Sequence, residues 1–216
     1  MTATHPALDP ARPLVFVDIE TTGGSAMTSR ILEVAALKME RGKVTNTYST
    51  LIDPDEVIPP FITQLTGITE SDVDGSPFFN QIAWELYDFL DGAVFVAHNV
   101  DFDLSFIREE YRRLGADFTP DKLCTVQLSR HFYPHFATHK LGALIERHEL
   151  EVADRHRARA DAKAIADFYL LVEKEFGHTA LMEARAALLK SPPPRKRSAR
   201  VAKPAGVSSR LIIPGD

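Results

Sequence analysis

The sequence predicts a single α/β domain in which helices flank a mixed sheet. Three observations support this fold class. The N-terminal half contains apolar, β-branched runs that are typical of strands, and the C-terminal half has apolar residues at helical spacing,. In addition, 44% of the 216 residues are hydrophobic, which suffices for one sizeable core.

Four strands are predicted. Residues 13–20 form a nearly continuous apolar run, typical of a strand that is buried on both faces,. Two further strands are expected near 31–40 and 43–52, separated by the turn Arg41-Gly42-Lys43,. Residues 93–97 predict another short apolar strand.

Most of the remaining chain predicts helices. Residues 53–75 are rich in Pro, Gly, Asp and Thr and are interpreted as loop with short helical turns,. Helices are expected near 77–91, 102–114, 125–132, 139–148, 159–176 and 178–190,. A strand-rich half followed by helices is consistent with one α/β domain.

Charge divides the chain into an acidic body and a basic tail. The whole chain carries −5, yet residues 191–216 contain six Lys or Arg and one acid, Asp216. This Pro-rich tail is predicted to be disordered because it cannot bury enough apolar surface. We therefore predict a flexible N-terminus at 1–11, a domain at 12–190 and the tail at 191–216. An acidic body would need cations where it meets phosphates, and the tail could assist.

The cellular location follows from features that the sequence lacks. Its single cysteine, Cys124, cannot form an intramolecular disulfide,. Neither a signal peptide nor an apolar run of about 20 residues is visible. The predicted protein is soluble and cytoplasmic, with no membrane partner.

Asp18 and Glu20 end the first predicted strand. They are two positions apart, so their side chains share one face,. Two carboxylates beside a core require cations or basic partners. A chain of this length contains about one Asp-x-Glu by chance. This pair, however, directly precedes Thr21-Thr22-Gly23-Gly24, where small residues let backbone amides approach a ligand,.

Two predicted helix starts supply further acids. Asp103 shares a helical stripe with Phe106 and is predicted to face inward as a metal ligand, whereas Asp101 is predicted to cap the helix,. Asp161 heads another helix and also faces the core side. His156 lies on the loop before that helix, where a histidine alone is usually exposed. Together with the inward-facing acids, it is predicted to be catalytic.

This set of residues suits one chemistry. Four carboxylates can hold two hard cations such as Mg²⁺ or Mn²⁺, about 3.5–4 Å apart, which stabilise the attacking and leaving oxygens of phosphodiester hydrolysis. A histidine can take the proton from the attacking water near neutral pH. The predicted reaction is therefore hydrolysis by activated water without a covalent enzyme intermediate.

Three segments resemble the exonuclease motifs of the DnaQ-like (DEDDh) family. They are Phe16–Gly23, His98-Asn99-x-x-Phe102-Asp103 and His156-x-x-x-x-Asp161, in the family's order, and the resemblance covers roughly residues 12–177. It implies a ribonuclease H-like fold, two divalent metals and 3′→5′ hydrolysis that releases nucleoside monophosphates. The metal ligands that it implies are Asp18, Glu20, Asp103 and Asp161, with His156 as the general base.

The resemblance also implies residues that hold the terminal nucleotide. These are Ile19, Thr21 and Thr22 in the first motif, and Leu65 and Thr66 in the segment Leu65-Thr66-Gly67-Ile68. Asn99 and Phe102 are expected to support the ligands or stack on the substrate, although Phe102 could equally be a packing residue. Lys140 could meet a phosphate, but we interpret it as a solvated lysine.

Within this family the sequence resembles epsilon-type proofreading subunits of bacterial DNA polymerases and their stand-alone relatives. Residues 191–216 contain no glutamine and so lack a glutamine-led clamp-binding motif, which favours a stand-alone or auxiliary enzyme. The predicted substrate is the 3′ end of DNA, single-stranded or frayed. The alternatives are a subunit attached to a DNA polymerase or another replication or repair protein, an exoribonuclease, and a non-catalytic nucleic-acid-binding module.

Overall fold

The apolar runs of the N-terminal half form one mixed sheet in the computed structural model, which describes Asp9 and residues 12–189. Its strands are β1 (Leu14–Thr21), β2 (Ile31–Glu40), β3 (Lys43–Leu51), β4 (Val94–Ala97) and β5 (Lys122–Cys124). They are arranged in the order β3-β2-β1-β4-β5. β1 runs antiparallel to β2 but parallel to β4, and β4 runs parallel to β5. The predicted mixed sheet is confirmed.

Eight helices lie within residues 12–189. They are α1 (Pro60–Thr66), α2 (Glu70–Val73), α3 (Phe79–Leu90), α4 (Val100–Arg113), α5 (Thr125–Phe132), α6 (Leu141–Arg147), α7 (Ala158–Phe176) and α8 (His178–Leu188). In this part of the chain, none of them has both the length and the apolar character needed to cross a membrane. The tail predicted at 191–216 lies outside the described residues, and so does the N-terminus predicted at 1–11, apart from Asp9.

Alternation along β1 builds a core on each face of the sheet. Leu14 and Phe16 point to one face, where they join the buried side of α7,. Val15, Val17 and Ile19 point to the opposite face, where they pack with residues of α3 and α4. Both faces of β1 are therefore covered, as its continuous apolar run predicts.

Pairing between β1 and β4 stops before β1 ends. The last partners are Phe16 and Val96, and beyond Ala97 the chain leaves the sheet and turns into α4. Asn99 makes this turn in the left-handed region, with a φ of 66°, which asparagine tolerates better than most residues. The C-terminal end of β1 consequently has a free edge that faces the start of α4.

The prediction that Asp101 caps α4 is wrong. Asn99 occupies the N-cap position, and no side chain forms a capping hydrogen bond there. Asp101 is exposed and instead forms an ion pair with Lys122 at the start of β5. The backbone turn at Asn99 directs Asp101 towards the neighbouring strand rather than back over the first turn of the helix.

Candidate active site

Four acids approach the C-terminal end of β1 from three elements. Asp18 and Glu20 lie on the face that α7 covers, and Asp161 lies in the first turn of α7. Carboxylate oxygens of these three residues lie within 4.8 Å of one another. The predicted inward orientation of Asp161 agrees with its burial, since its side chain is nearly inaccessible.

Asp103 reaches the same place along the free edge of β1. It is buried in the first turn of α4, and the backbone N–H of Ile19 hydrogen bonds to its carboxylate. That N–H lies beyond the last residue of β1 that pairs with β4. The early end of β4 therefore leaves room for an acid where the β1–β4 ladder would otherwise continue.

The electrostatics of this cluster favour a cation. Burial, followed by repulsion from Asp103, Glu20 and Asp161, raises the pKa of Asp18 well above its usual value. Burial, followed by repulsion from Asp161 and Glu33, raises the pKa of Glu20 to about 8. Burial likewise raises the pKa of Asp103 and of Asp161. A divalent cation would reverse this effect because it stabilises the ionised carboxylates.

The donor set therefore fits a hard metal ion. It contains carboxylate oxygens at spacing that one cation could span, and no sulfur or imidazole belongs to the cluster found among the described residues. Oxygen donors of this kind suit Mg²⁺, Mn²⁺ or Ca²⁺ better than zinc.

His156 lies in the turn that leads into α7. It adopts a positive φ of 60°, which is uncommon for a residue other than glycine,. Its backbone N–H hydrogen bonds to the Asp161 carboxylate. This bond holds the backbone of the turn beside Asp161, one of the four acids.

Arginines on both sides of His156 hold the turn in place. Arg155 donates a hydrogen bond of 3.0 Å from Nη1 to Oδ1 of Asp161. Arg157 donates from Nε and Nη2 to both carboxylate oxygens of Glu33, at 3.1 and 2.9 Å. Glu33 also accepts a hydrogen bond of 2.9 Å from the backbone N–H of Ala158. The turn is thus attached to β2 and to the acid cluster.

Sequence reasoning missed Glu33, although one signal was present. Glu33 is a buried acid in the apolar strand β2, and it lies opposite Glu20 in the β1–β2 register. Two acids opposite each other on one face repel unless a cation intervenes. That cation is Arg157, which is 124 positions away in sequence.

The residues predicted to hold the nucleotide lie in two kinds of environment. The side chains of Ile19, Thr21, Thr22 and Thr66 are buried, whereas Leu65 and Asn99 are exposed and Phe102 is half-buried. Ile19 packs in the core on the face opposite Asp18, so the structure does not bring its side chain to the acids. Phe102 packs against Phe106, with ring centroids 5.0 Å apart.

The threonine hydroxyls bond within the protein. Thr21 Oγ1 donates to the carbonyl of Gly23 at 2.8 Å. Thr22 Oγ1 donates to Glu56 and accepts from the backbone N–H of Arg30, which closes the loop between β1 and β2. Thr66 Oγ1 donates to the carbonyl of Ile62 at 2.9 Å. These side chains shape the loops around the acids.

Known proteins are similar to most of this chain. The family model RNase T, described as an exonuclease, matches residues 15–169. DNA polymerase III PolC-type of Caldanaerobacter subterraneus subsp. tengcongensis is 39% identical over 178 residues, which cover 81% of this chain and 13% of that protein. The 3′-5′ exonuclease DinG of Bacillus subtilis is 41% identical over 164 residues, which cover 74% of this chain and 18% of that protein. The chain thus spans less than a fifth of the length of these relatives.

Solved structures share the fold. Exonuclease X in complex with 5′ overhanging duplex DNA has a TM-score of 0.64 and 26% identity, covering 80% of this chain and 98% of that one. A structure of exonuclease I has a TM-score of 0.71 over 80% of this chain and 42% of that one, and at 19% identity it is evidence for the fold alone. The ribonuclease H-like fold that the motifs imply is confirmed.

Proposed function

We propose that this chain, which belongs to the RNase T family of exonucleases, hydrolyses phosphodiester bonds at the 3′ end of DNA and releases nucleoside monophosphates. The convergence of four acids from β1, α4 and α7 at one edge of the sheet carries this proposal. The similarity to a 3′-5′ exonuclease supports the direction of hydrolysis.

In the proposed site, Asp18, Glu20, Asp103 and Asp161 hold two divalent cations, Mg²⁺ or Mn²⁺. When bound, such a pair activates water and stabilises charge on the attacking and leaving oxygens. The four acids supply negative charge that burial alone would disfavour, so their ionised state depends on bound cations,. Arg155 neutralises part of this charge at Asp161.

His156 is the proposed general base. Its imidazole takes a proton from the attacking water at a ring nitrogen. The turn that carries it is attached to Asp161 on one side and to Glu33 on the other, which supports a fixed position for the ring. A base attached in this way loses little conformational entropy when substrate binds.

The terminal nucleotide is proposed to lie between the β1–β2 loop and α1. Leu65, which is 51% exposed, offers apolar surface to the base, and the exposed Asn99 and half-buried Phe102 lie at the start of α4. Ile19, Thr21, Thr22 and Thr66 contribute through backbone groups and loop shape because their side chains are buried.

Incubation of the full chain with a 5′-labelled single-stranded DNA and Mg²⁺ or Mn²⁺ tests the function. We expect stepwise shortening from the 3′ end and no shortening in EDTA. Asp18→Asn should lower the rate of shortening by more than about 100-fold, because replacing a residue that merely orients a metal ligand already costs about 10–100-fold. Binding of DNA without shortening by the wild type would support a non-catalytic module instead.

A comparison of DNA with RNA tests the proposed class of substrate. DNA is favoured because the similar exonuclease X was solved with DNA. We expect faster shortening of DNA than of RNA of the same sequence, and the reverse order would assign the chain to exoribonucleases.

Proofreading is the second candidate, because a DNA polymerase of PolC type is among the relatives. In that case the chain would act beside a DNA polymerase or another replication protein. A mispaired 3′ end should then be removed at least about 10-fold faster than a paired one, as expected for about 1.4 kcal/mol of discrimination. Equal rates on single strands and mispaired ends would favour a stand-alone enzyme.

A further inference from the structure

A cavity of about 700 Å³ opens at the N-terminal end of α4, the helix that carries Asp103. It opens where β4 leads into α4, and the α5–α6 connection forms its far wall. Asn99 lines it and precedes Asp103 by four residues, so their Cα atoms are about 6 Å apart along the helix axis,. Asn99 and Asp103 thus lie on either side of the start of α4, which brings the cavity near one of the four acids, at the edge where parallel strands usually place ligands,.

Two histidines of the cavity wall form hydrogen bonds to buried hydroxyl groups. His98 Nδ1 lies 3.0 Å from Oγ1 of the buried Thr125, and His139 Nδ1 lies 2.8 Å from Oγ of the buried Ser129. Burial lowers the pKa of His98 to about 4 and also lowers the pKa of His139. Both rings are therefore neutral near pH 7 and add no charge to the wall.

The α5–α6 connection is also fixed. Arg147 of α6 donates from Nη2 to the carbonyl of Thr138 at 2.8 Å, and its guanidinium lies 3.6 Å from the ring centroid of Phe136. Both Thr138 and Phe136 line the cavity. This wall of the cavity is therefore preformed in the absence of a ligand.

The charge of the cavity comes from Arg130 and Lys140. Both side chains are exposed, and neither forms an ion pair with any residue that the structure describes. None of the described residues that line the cavity is acidic, although the chain as a whole carries −5. A cationic patch on an acidic protein, in a cavity at the N-terminal end of the helix that carries Asp103, is suited to an anionic ligand.

We propose that this cavity binds backbone phosphates of the uncleaved strand, on the 5′ side of the scissile bond. This inference rests on the proposed function, which puts the 3′-terminal nucleotide at the acids. A strand that leaves them along the first turn of α4 brings its next phosphates to Arg130 and Lys140. Exposed cations that have no ion-pair partner among the described residues are what single-strand-binding grooves use to hold the backbone,. Lys140, interpreted from sequence as a solvated lysine, thereby acquires a ligand.

Two substrates distinguish an effect on binding in this cavity from an effect on hydrolysis at the acids. The p-nitrophenyl ester of thymidine 5′-phosphate has a cleavable phosphodiester but no upstream strand, whereas oligothymidylate has both. For Arg130→Ala/Lys140→Ala we expect the KM for oligothymidylate to rise about 10-fold, because phosphate contacts supply much of the affinity for nucleic acid. The slope of log KM against log salt should fall by about 1.4, since each single-strand phosphate contact contributes about 0.7. Both kcat and KM for the ester should stay within about twofold.

Lys43→Ala/Lys174→Ala is the matched control. It removes two exposed cations from β3 and α7, outside the cavity lining, and should leave the KM and the salt slope unchanged. The cavity assignment is overturned if the Arg130/Lys140 variant keeps the wild-type KM, if the control shifts equally, or if ester and oligonucleotide are impaired alike. Failure of the wild type to hydrolyse either substrate would instead refute the proposed function, and the inference with it.

Discussion

At the scale of single residues, the positive φ of His156 determines how its role can be tested. Asparagine tolerates this backbone region, so His156→Asn should keep the turn while removing the ring nitrogen that is proposed to accept the proton. We expect kcat on single-stranded DNA to fall about 10²–10⁴-fold, the usual contribution of a general base. Mn²⁺ binding, measured by calorimetry, should be unchanged. Loss of Mn²⁺ binding would make His156 a metal ligand, and an unchanged kcat would remove it from the chemistry.

The lowered pKa of His98 predicts that the folded protein is less stable in acid than at neutral pH,. The pKa of His98 is lowered by burial to about 4, so as the pH falls from about 6.5 to 4 the unfolded chain takes up a proton that the folded chain does not. This group therefore stabilises the fold at neutral pH and loses that contribution in acid. His98→Gln removes the titration, so the gap in melting temperature between variant and wild type should shift in favour of the variant from pH 7 to pH 5. A constant gap across this range would contradict the lowered pKa.

At the scale of elements, the Glu33–Arg157 pair attaches the turn that carries His156, the proposed base, to β2. Glu33→Gln keeps an oxygen for the N–H of Ala158 but weakens the bidentate pair with Arg157,. We expect kcat to fall about 10- to 100-fold, as for other groups that orient catalytic residues. KM and Mn²⁺ affinity should change little, because the four acids are untouched.

Glu109→Gln provides the control for that variant. Glu109 is also a buried acid with a bidentate arginine partner, Arg112, but both lie on α4. Its loss should lower the melting temperature without lowering kcat. If both variants lose kcat to the same extent, Glu33 is merely structural and does not position His156.

Sequence periodicity predicted the elements whose residues repeat, and it missed those that depend on contact. The alternation of β1 and the stripes of α4 and α7 placed Asp18, Glu20, Asp103 and Asp161 on inward faces. β5, of three residues, is too short for a period and exists because it pairs with β4,. The Glu33–Arg157 pair joins residues 124 positions apart, so no local pattern could reveal it.

At the scale of the whole molecule, the acid cluster joins the sheet to helices on both of its faces. β1, α4 and α7 each contribute negative charge to one junction, so repulsion there opposes folding until cations bind. At about 100 times its Kd, a metal ion stabilises the folded state by about 2.7 kcal/mol, or about 5–10 °C for a domain of this size. Mn²⁺ should raise the melting temperature of the wild type by this amount.

Asp18→Asn separates repulsion from metal binding in the same melting experiment. Without metal at pH 8, this variant should melt above the wild type because it removes one of the clustered charges,. With Mn²⁺ it should gain much less than the wild type. Asp101→Asn, which changes an exposed acid paired with Lys122 outside the cluster, should show neither effect. A metal-free Asp18→Asn variant that melts below the wild type would mean that Asp18 stabilises the junction by hydrogen bonding, and that the four acids do not repel one another enough to require a cation.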